Sequence, residues 1–173
     1  DGINLQCSGY FFVILTTILY LDKSIINSIN IDIIYVTYSF LICFIFFNFL
    51  NKSYLGDGGA YLLSLIVAFI LINFYNTSNV SPYFIALLLW YPAFETFFSI
   101  IRKIFITKLK PDQPDLKHLH HLLLNFFNKN FTLSKKFSSS ITGLIINLFN
   151  LIVFYIGTFF IYNTKILIIL ILF

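Results

Sequence analysis

Methionine is missing altogether from these 173 residues. The expectation is that the natural start lies upstream and that residues 1–173 form the C-terminal part of a longer protein. The opening Asp1-Gly2-Ile3-Asn4 is polar and loop-like, with no signal-peptide organisation. Charge is scarce as well: Asp, Glu, Lys and Arg make up 10% of the chain, against about 25% in soluble domains. That deficit excludes an ordinary water-facing surface. Cysteine occurs only at Cys7 and Cys43, far apart and without Cys-x-x-Cys spacing, so two packing cysteines are expected rather than a disulfide or metal framework. Histidine occurs three times, all between positions 118 and 121.

What the chain has in abundance is apolar surface. It is 59% hydrophobic, with 23 Phe and 11 Tyr. Crossing the hydrocarbon core takes about 20 mostly apolar residues as a helix, and five runs approach that length: 5–21, 33–50, 60–75, 80–101 and 141–162. A sixth, 166–173, is long enough for part of a crossing. Strict alternation is absent and the runs are long, so strands are not expected. Backbone groups in lipid must bond within their own segment. The predicted fold class is therefore all-α, a polytopic transmembrane helix bundle of five to six spans. It forms one domain over 1–173, with a long loop at 102–140.

Basic residues divide unevenly between the loops. The side carrying residues 1–4, 51–59 and 102–140 holds Lys52, Arg102, Lys103, Lys108, Lys110, Lys117, Lys129, Lys135 and Lys136, while the other holds Lys23 and Lys165. The positive-inside rule makes the first side cytoplasmic. The short third run is the weak point of that parity. These basic residues flank apolar runs, where they suit anionic headgroups; no spacing among them suggests nucleic-acid readout. Glu95 is the one ionisable residue well inside a run, two helical turns before Arg102.

Two short stretches can carry chemistry. In Leu55-Gly56-Asp57-Gly58-Gly59-Ala60 a carboxylate is surrounded by glycines at the start of a predicted helix. It can reach a hard cation such as Mg²⁺, which is held by one or two carboxylates and substrate phosphates. Taken alone, the tetrapeptide favours the plainer role, a cap for a helix beginning near Ala60. In Lys110-Pro111-Asp112-Gln113-Pro114-Asp115-Leu116-Lys117-His118-Leu119-His120-His121 the prolines hold the approach extended. Asp115 is then the expected N-cap of a helix starting at Leu116, with His118 in its first turn. There the helix dipole attracts anions, and imidazoles can donate to phosphate and gain charge beside it. A zinc site and a solvated loop are the competing readings. On a regular helix His118 and His121 share a face while His120 points away, which disfavours one tetrahedral ion.

Taken in order, these pieces resemble the polyprenyl-phosphate N-acetylhexosamine-1-phosphate transferase family over essentially the whole chain. The glycine-flanked Asp57, the proline-aspartate loop with His118-x-His120-His121, and Trp90-Tyr91-Pro92-Ala93-Phe94-Glu95 followed by Arg102-Lys103 carry the likeness. Asp1-Gly2-Ile3-Asn4 is similar to the end of that family's Asn-rich "N-x-x-D-G-x-[ND]-G-L" loop. Here Leu5-Gln6 stands where the family has Gly-Leu, Leu116 stands where many members carry Arg, and Ala60-Tyr61 follows Gly59 in place of a common Ser.

The resemblance implies a Mg²⁺-dependent enzyme of a bacterial inner membrane. Such an enzyme moves a sugar 1-phosphate from a UDP-sugar to undecaprenyl phosphate on the cytoplasmic face and releases UMP, for cell-wall, O-antigen or other surface polysaccharide. It implies that Asp57 binds Mg²⁺ and that His118, His120 and His121 contact phosphate. Asp1, Asn4, Lys52 and Asp115 would lie at the substrate, and a homodimer is allowed. The family's upstream Asp-Asp motif is not within residues 1–173, so the fragment alone is expected to be inactive. The alternative is a non-catalytic polytopic membrane protein or transporter whose His-rich loop binds metal.

Overall fold

The computed structural model describes residues 3–21, 31–107, 118–131 and 134–172, and among them every regular element is a helix. They are α1 (Gln6–Tyr20), α2 (Ile31–Phe49), α3 (Gly56–Thr77), α4 (Pro82–Leu88), α5 (Trp90–Ile101), α6 (Leu119–Asn130), α7 (Lys135–Phe159) and α8 (Thr164–Leu172). Beyond Ile101 the α5 backbone widens into a π-helical stretch, Arg102–Thr107.

Helices α2, α3 and α7 are long and apolar enough to cross a membrane, and α4 with α5 makes a fourth candidate bent by 68°. Among the described residues, length and composition alone mark three to four spans, and the five to six expected are not established. The third run is not short: α3 has 22 residues and starts at Gly56 rather than Ala60. Helix α7 likewise starts at Lys135 rather than Ile141. Helix α1 has 15 residues, about 22 Å at 1.5 Å per residue, shorter than the roughly 30 Å hydrocarbon core.

Helix α1 is the centre of the bundle. Ile14, Leu15 and Ile18 have no exposed surface. It runs parallel to α7: Asn4 meets Ser139 at one end, and Tyr20 meets Tyr155 at the other with ring centroids 5.3 Å apart. It runs antiparallel to α2, with Leu5 on Asn48 and Phe12 stacked on Tyr38 at 4.8 Å. The approach to α7 is close enough to demand glycine, because a Cβ at Gly143 would run into the Asn4 carbonyl oxygen. The outer faces are different in kind. Val36, Phe40, Phe46 and Phe47 on α2, and Tyr61, Leu62, Leu65 and Phe69 on α3, are exposed. Apolar faces of this extent call for a lipid or protein partner rather than water.

The run 80–101, expected as one helix, breaks at Leu89 because of Pro92. Proline has no N–H, and its ring crowds the carbonyl four residues earlier, here Leu88. That carbonyl accepts instead from the Tyr10 hydroxyl at 2.7 Å, a buried bond supplied by the central helix. The bent pair starts beside the end of α7, where Ser81 N–H donates to the Ile161 carbonyl, and ends at the opposite end of the bundle. Tyr10→Phe is expected to cost about 1 kcal/mol by leaving that carbonyl unpaired. In a Pro92→Ala background the returned N–H can reach Leu88, so the same change costs less. Detergent unfolding of the four variants of the full-length protein measures this, and equal losses in both backgrounds would contradict the account of the break.

Candidate functional site

Polar side chains gather where α1 begins. Leu5 adopts a left-handed backbone, φ 66°, which costs an L-residue roughly 1–2 kcal/mol. Two buried asparagines hold it there. Asn48 Oδ1 accepts from the Leu5 N–H at 2.7 Å, and Asn147 Nδ2 donates to the Leu5 carbonyl at 2.7 Å. Asn4 is also buried. Its N–H donates to Ser139 Oγ at 3.0 Å, and its amide donates to Asn51 Oδ1. Asn48 in turn donates to the Ser53 carbonyl at 2.7 Å, closing the α2–α3 turn. The starts of α1, α3 and α7 and the end of α2 are thus knotted together at one end of the bundle.

Asp57 and Lys52 belong to this end, and both are exposed. Gly56 opens α3 with φ 65°, a conformation glycine adopts without penalty, and Leu55 is the N-cap. Asp57 is therefore not the cap. It sits in the first turn of α3, where the helix dipole favours its charge. Ser64, one heptad along α3, lies on nearly the same helical face as Asp57.

The histidines stand against α1's start at Gln6. Helix α6 begins at Leu119, and His118 is its N-cap with extended backbone, φ −67° and ψ 152°. The expectation that His118 lies within the first turn is thus corrected, while Asp115 and Leu116 lie outside the described residues. The carboxylate that serves this helix end comes from a distant helix. Glu95 Oε1 accepts from the Leu119 N–H at 3.1 Å, and Glu95 Oε2 pairs with His118 Nδ1 at 2.9 Å. Because His118 has left the helix, its ring lies parallel to that of His120, 3° between planes and 5.3 Å between centroids. His121 is 4.4 Å from His120. The expectation that His120 points away from the other two is overturned, since it assumed regular helix through residue 118.

His120 Nδ1 lies 3.2 Å from Gln6 Nε2, which also reaches the Tyr91 hydroxyl at 3.3 Å. Burial first, then the neighbouring His121 and His118, push His120 down to about pKa 4. Without a ligand His120 is therefore neutral at pH 7. By linkage, its stabilising contribution is full above pH 6.5 and is lost as pH falls toward 4. A cavity of about 360 Å³ opens here between α1, α3, α5 and α6, with Gln6, Ser64, Tyr91 and His120 at its polar edge and Tyr10 and Phe11 in its wall.

Asn4 and the three histidines are therefore gathered around the start of α1. Lys52 on the adjacent α2–α3 turn and Asp57 in the first turn of α3 share that end. Asp1 and Asp115 lie outside the described residues. Sequence reading passed over Gln6 and Tyr91 as site residues and took Glu95 only as an unusual charge within an apolar run. That isolation was the available signal, because a carboxylate in such a run needs a partner. Among the described residues no group of three or more His, Cys, Asp or Glu side chains is arranged to hold a metal.

Fold and surface mark a helical membrane protein with a largely apolar pocket, edged by a few polar side chains, at one end of its bundle. No family model matches the chain, and no curated protein or solved structure matches it either.

Proposed function

We propose that this chain is the C-terminal part of a membrane enzyme that transfers a sugar 1-phosphate, an N-acetylhexosamine 1-phosphate, from a UDP-sugar to undecaprenyl phosphate. What supports the reading is that three close-set imidazoles stand against the start of α1, at the same end of an apolar bundle as the helix start that bears Asp57. A second feature supports it. Leu5 stands where the resembled family has glycine, and its backbone takes the conformation glycine favours. In this reading the polar end faces the cytoplasm of a bacterial inner membrane, α1 and the bent pair complete five to six spans, and the outer faces of α2 and α3 meet lipid.

The chemistry asks two anions to react. A lipid phosphate oxygen attacks the β-phosphorus of the UDP-sugar. A new P–O–P bond forms, the bond to the α-phosphate breaks, and UMP leaves. Mg²⁺ supplies charge neutralisation on the phosphates. One exposed carboxylate at a helix start fits the usual Mg²⁺ donor set, since that ion takes one or two carboxylates together with phosphate oxygens and water. Asp57 is the residue that would hold it. In this reading His118, His120 and His121 contact phosphate oxygens beside α1's start, and an N–H donor preorganised there stabilises charge developing in transfer. Lys52 adds a mobile positive charge at the rim. Asn4, already bonded to Asn51 and Ser139, keeps the rim in place; Asp1 and Asp115 flank it in sequence.

Purified full-length protein tests the reading. Given UDP-N-acetylhexosamine and undecaprenyl phosphate, it is expected to form prenyl-diphosphate sugar and UMP, to lose that activity on chelation and to regain it with Mg²⁺. No product from any UDP-sugar would refute it.

A further inference from the structure

We infer that Gln6 and Glu95 are positioning residues that fix opposite tautomers on two stacked imidazoles, so that His120 presents Nε2–H to a phosphate-bearing ligand while His118 keeps its proton on Nδ1. The inference deepens the transferase reading and rests on it for the ligand alone.

The argument is one of donors and acceptors. A carboxylate accepts hydrogen bonds and, when ionised, cannot donate. Glu95 Oε2 lies 2.9 Å from His118 Nδ1, so that nitrogen carries the proton. Gln6 offers the opposite polarity. Its amide nitrogen has two hydrogens and two acceptors within reach, the Tyr91 hydroxyl at 3.3 Å and His120 Nδ1 at 3.2 Å. His120 Nδ1 therefore accepts, and in a neutral ring the proton sits on Nε2. An amide turned the other way would require both Tyr91 and His120 to donate to one oxygen. Burial and two neighbouring imidazoles keep His120 neutral. The groups facing it across this pocket are Gln6 and Tyr91, with His118 and His121 alongside and Glu95 behind His118.

The two rings are 3° from parallel. Held by their Nδ1 atoms, they offer Nε2 atoms of unlike character. His120 is a permanent neutral donor to an anionic oxygen. His118 is an acceptor when neutral and a donor once protonated. A diphosphate whose bridging and terminal oxygens change charge during transfer is the ligand class such a pair suits. Gln6 is not part of the likeness noted in the sequence, where the family has Leu, so the arrangement belongs to this chain.

The test is ¹⁵N NMR of histidine-labelled full-length protein in detergent at pH 7, without substrate. His120 is expected as the Nε2–H form and His118 with a protonated Nδ1. Gln6→Glu should turn His120 to the Nδ1–H form and raise the pH at which it titrates, and Gln6→Leu should leave a mixture of its tautomers. Glu95→Gln should release the His118 tautomer while preserving an acceptor for the Leu119 N–H. An Nδ1–H His120 in the wild type, or a His120 signal indifferent to both Gln6 variants, would overturn the inference. Because the spectra need no substrate, a failed transferase assay would sink the function above and leave this assignment standing.

Discussion

Asp57→Asn is expected to lower sugar-phosphate transfer by the full-length protein by about 100-fold or more, the scale of losing one electrostatic contact to a transition state, while the protein remains folded. Both halves follow from where the carboxylate sits. It is exposed on the first turn of α3, it is not the N-cap, and it makes no capping hydrogen bond. Its structural value is therefore limited to the dipole term, roughly 0.3–1 kcal/mol. Asparagine keeps the size and one oxygen but removes the charge that would hold Mg²⁺. A small change in unfolding with a large loss of turnover separates a ligand from a cap. Wild-type turnover in Asp57→Asn would remove this residue from the mechanism.

The largest structural effect is expected from Gly143→Ala. A Cβ there meets the Asn4 carbonyl oxygen, with Gln6 N at 3.1 Å and the Asn4 carbonyl carbon at 3.3 Å. All three are backbone atoms and cannot swing aside, so α1 must move off α7. Overpacking of this kind costs about 1–3 kcal/mol. Asn4 and Gln6 would shift with it, so the contact between Gln6 and His120 should loosen as well. Gly58→Ala is the control: a Cβ at that position meets nothing within 4 Å, and exchanging glycine for alanine inside a helix gains roughly 0.5–1 kcal/mol. Denaturant unfolding in detergent compares the two. Equal stability in the Gly143 and Gly58 variants would contradict the close crossing of α1 and α7.

The helices themselves were legible because apolar runs with scarce charge leave little alternative in lipid. Their limits were less so, and for physical reasons. Pro92 was visible, but its consequence depends on Tyr10, which supplies the hydroxyl that makes a broken carbonyl at Leu88 tolerable. From the local Asp115, α6 is expected to hold His118 in its first turn. It begins at Leu119 because Glu95, 24 residues earlier, provides the acceptor. No window of neighbouring residues contains that information. The same displacement stacks the rings of His118 and His120, with His121 tilted beside them. Asp57 and the histidines could be named from residue type and spacing, whereas Gln6 could not. An amide at that position is unremarkable until α1 is seen to begin against α6.

The central claim concerns which bond of the nucleotide sugar breaks. With UDP-sugar labelled at the β-phosphorus, the full-length protein, Mg²⁺ and undecaprenyl phosphate should carry the label into the lipid phase as prenyl-diphosphate sugar, with UMP left in water. Label that stays in water as UDP while the sugar moves, or that never enters lipid with any UDP-sugar, would contradict the claim.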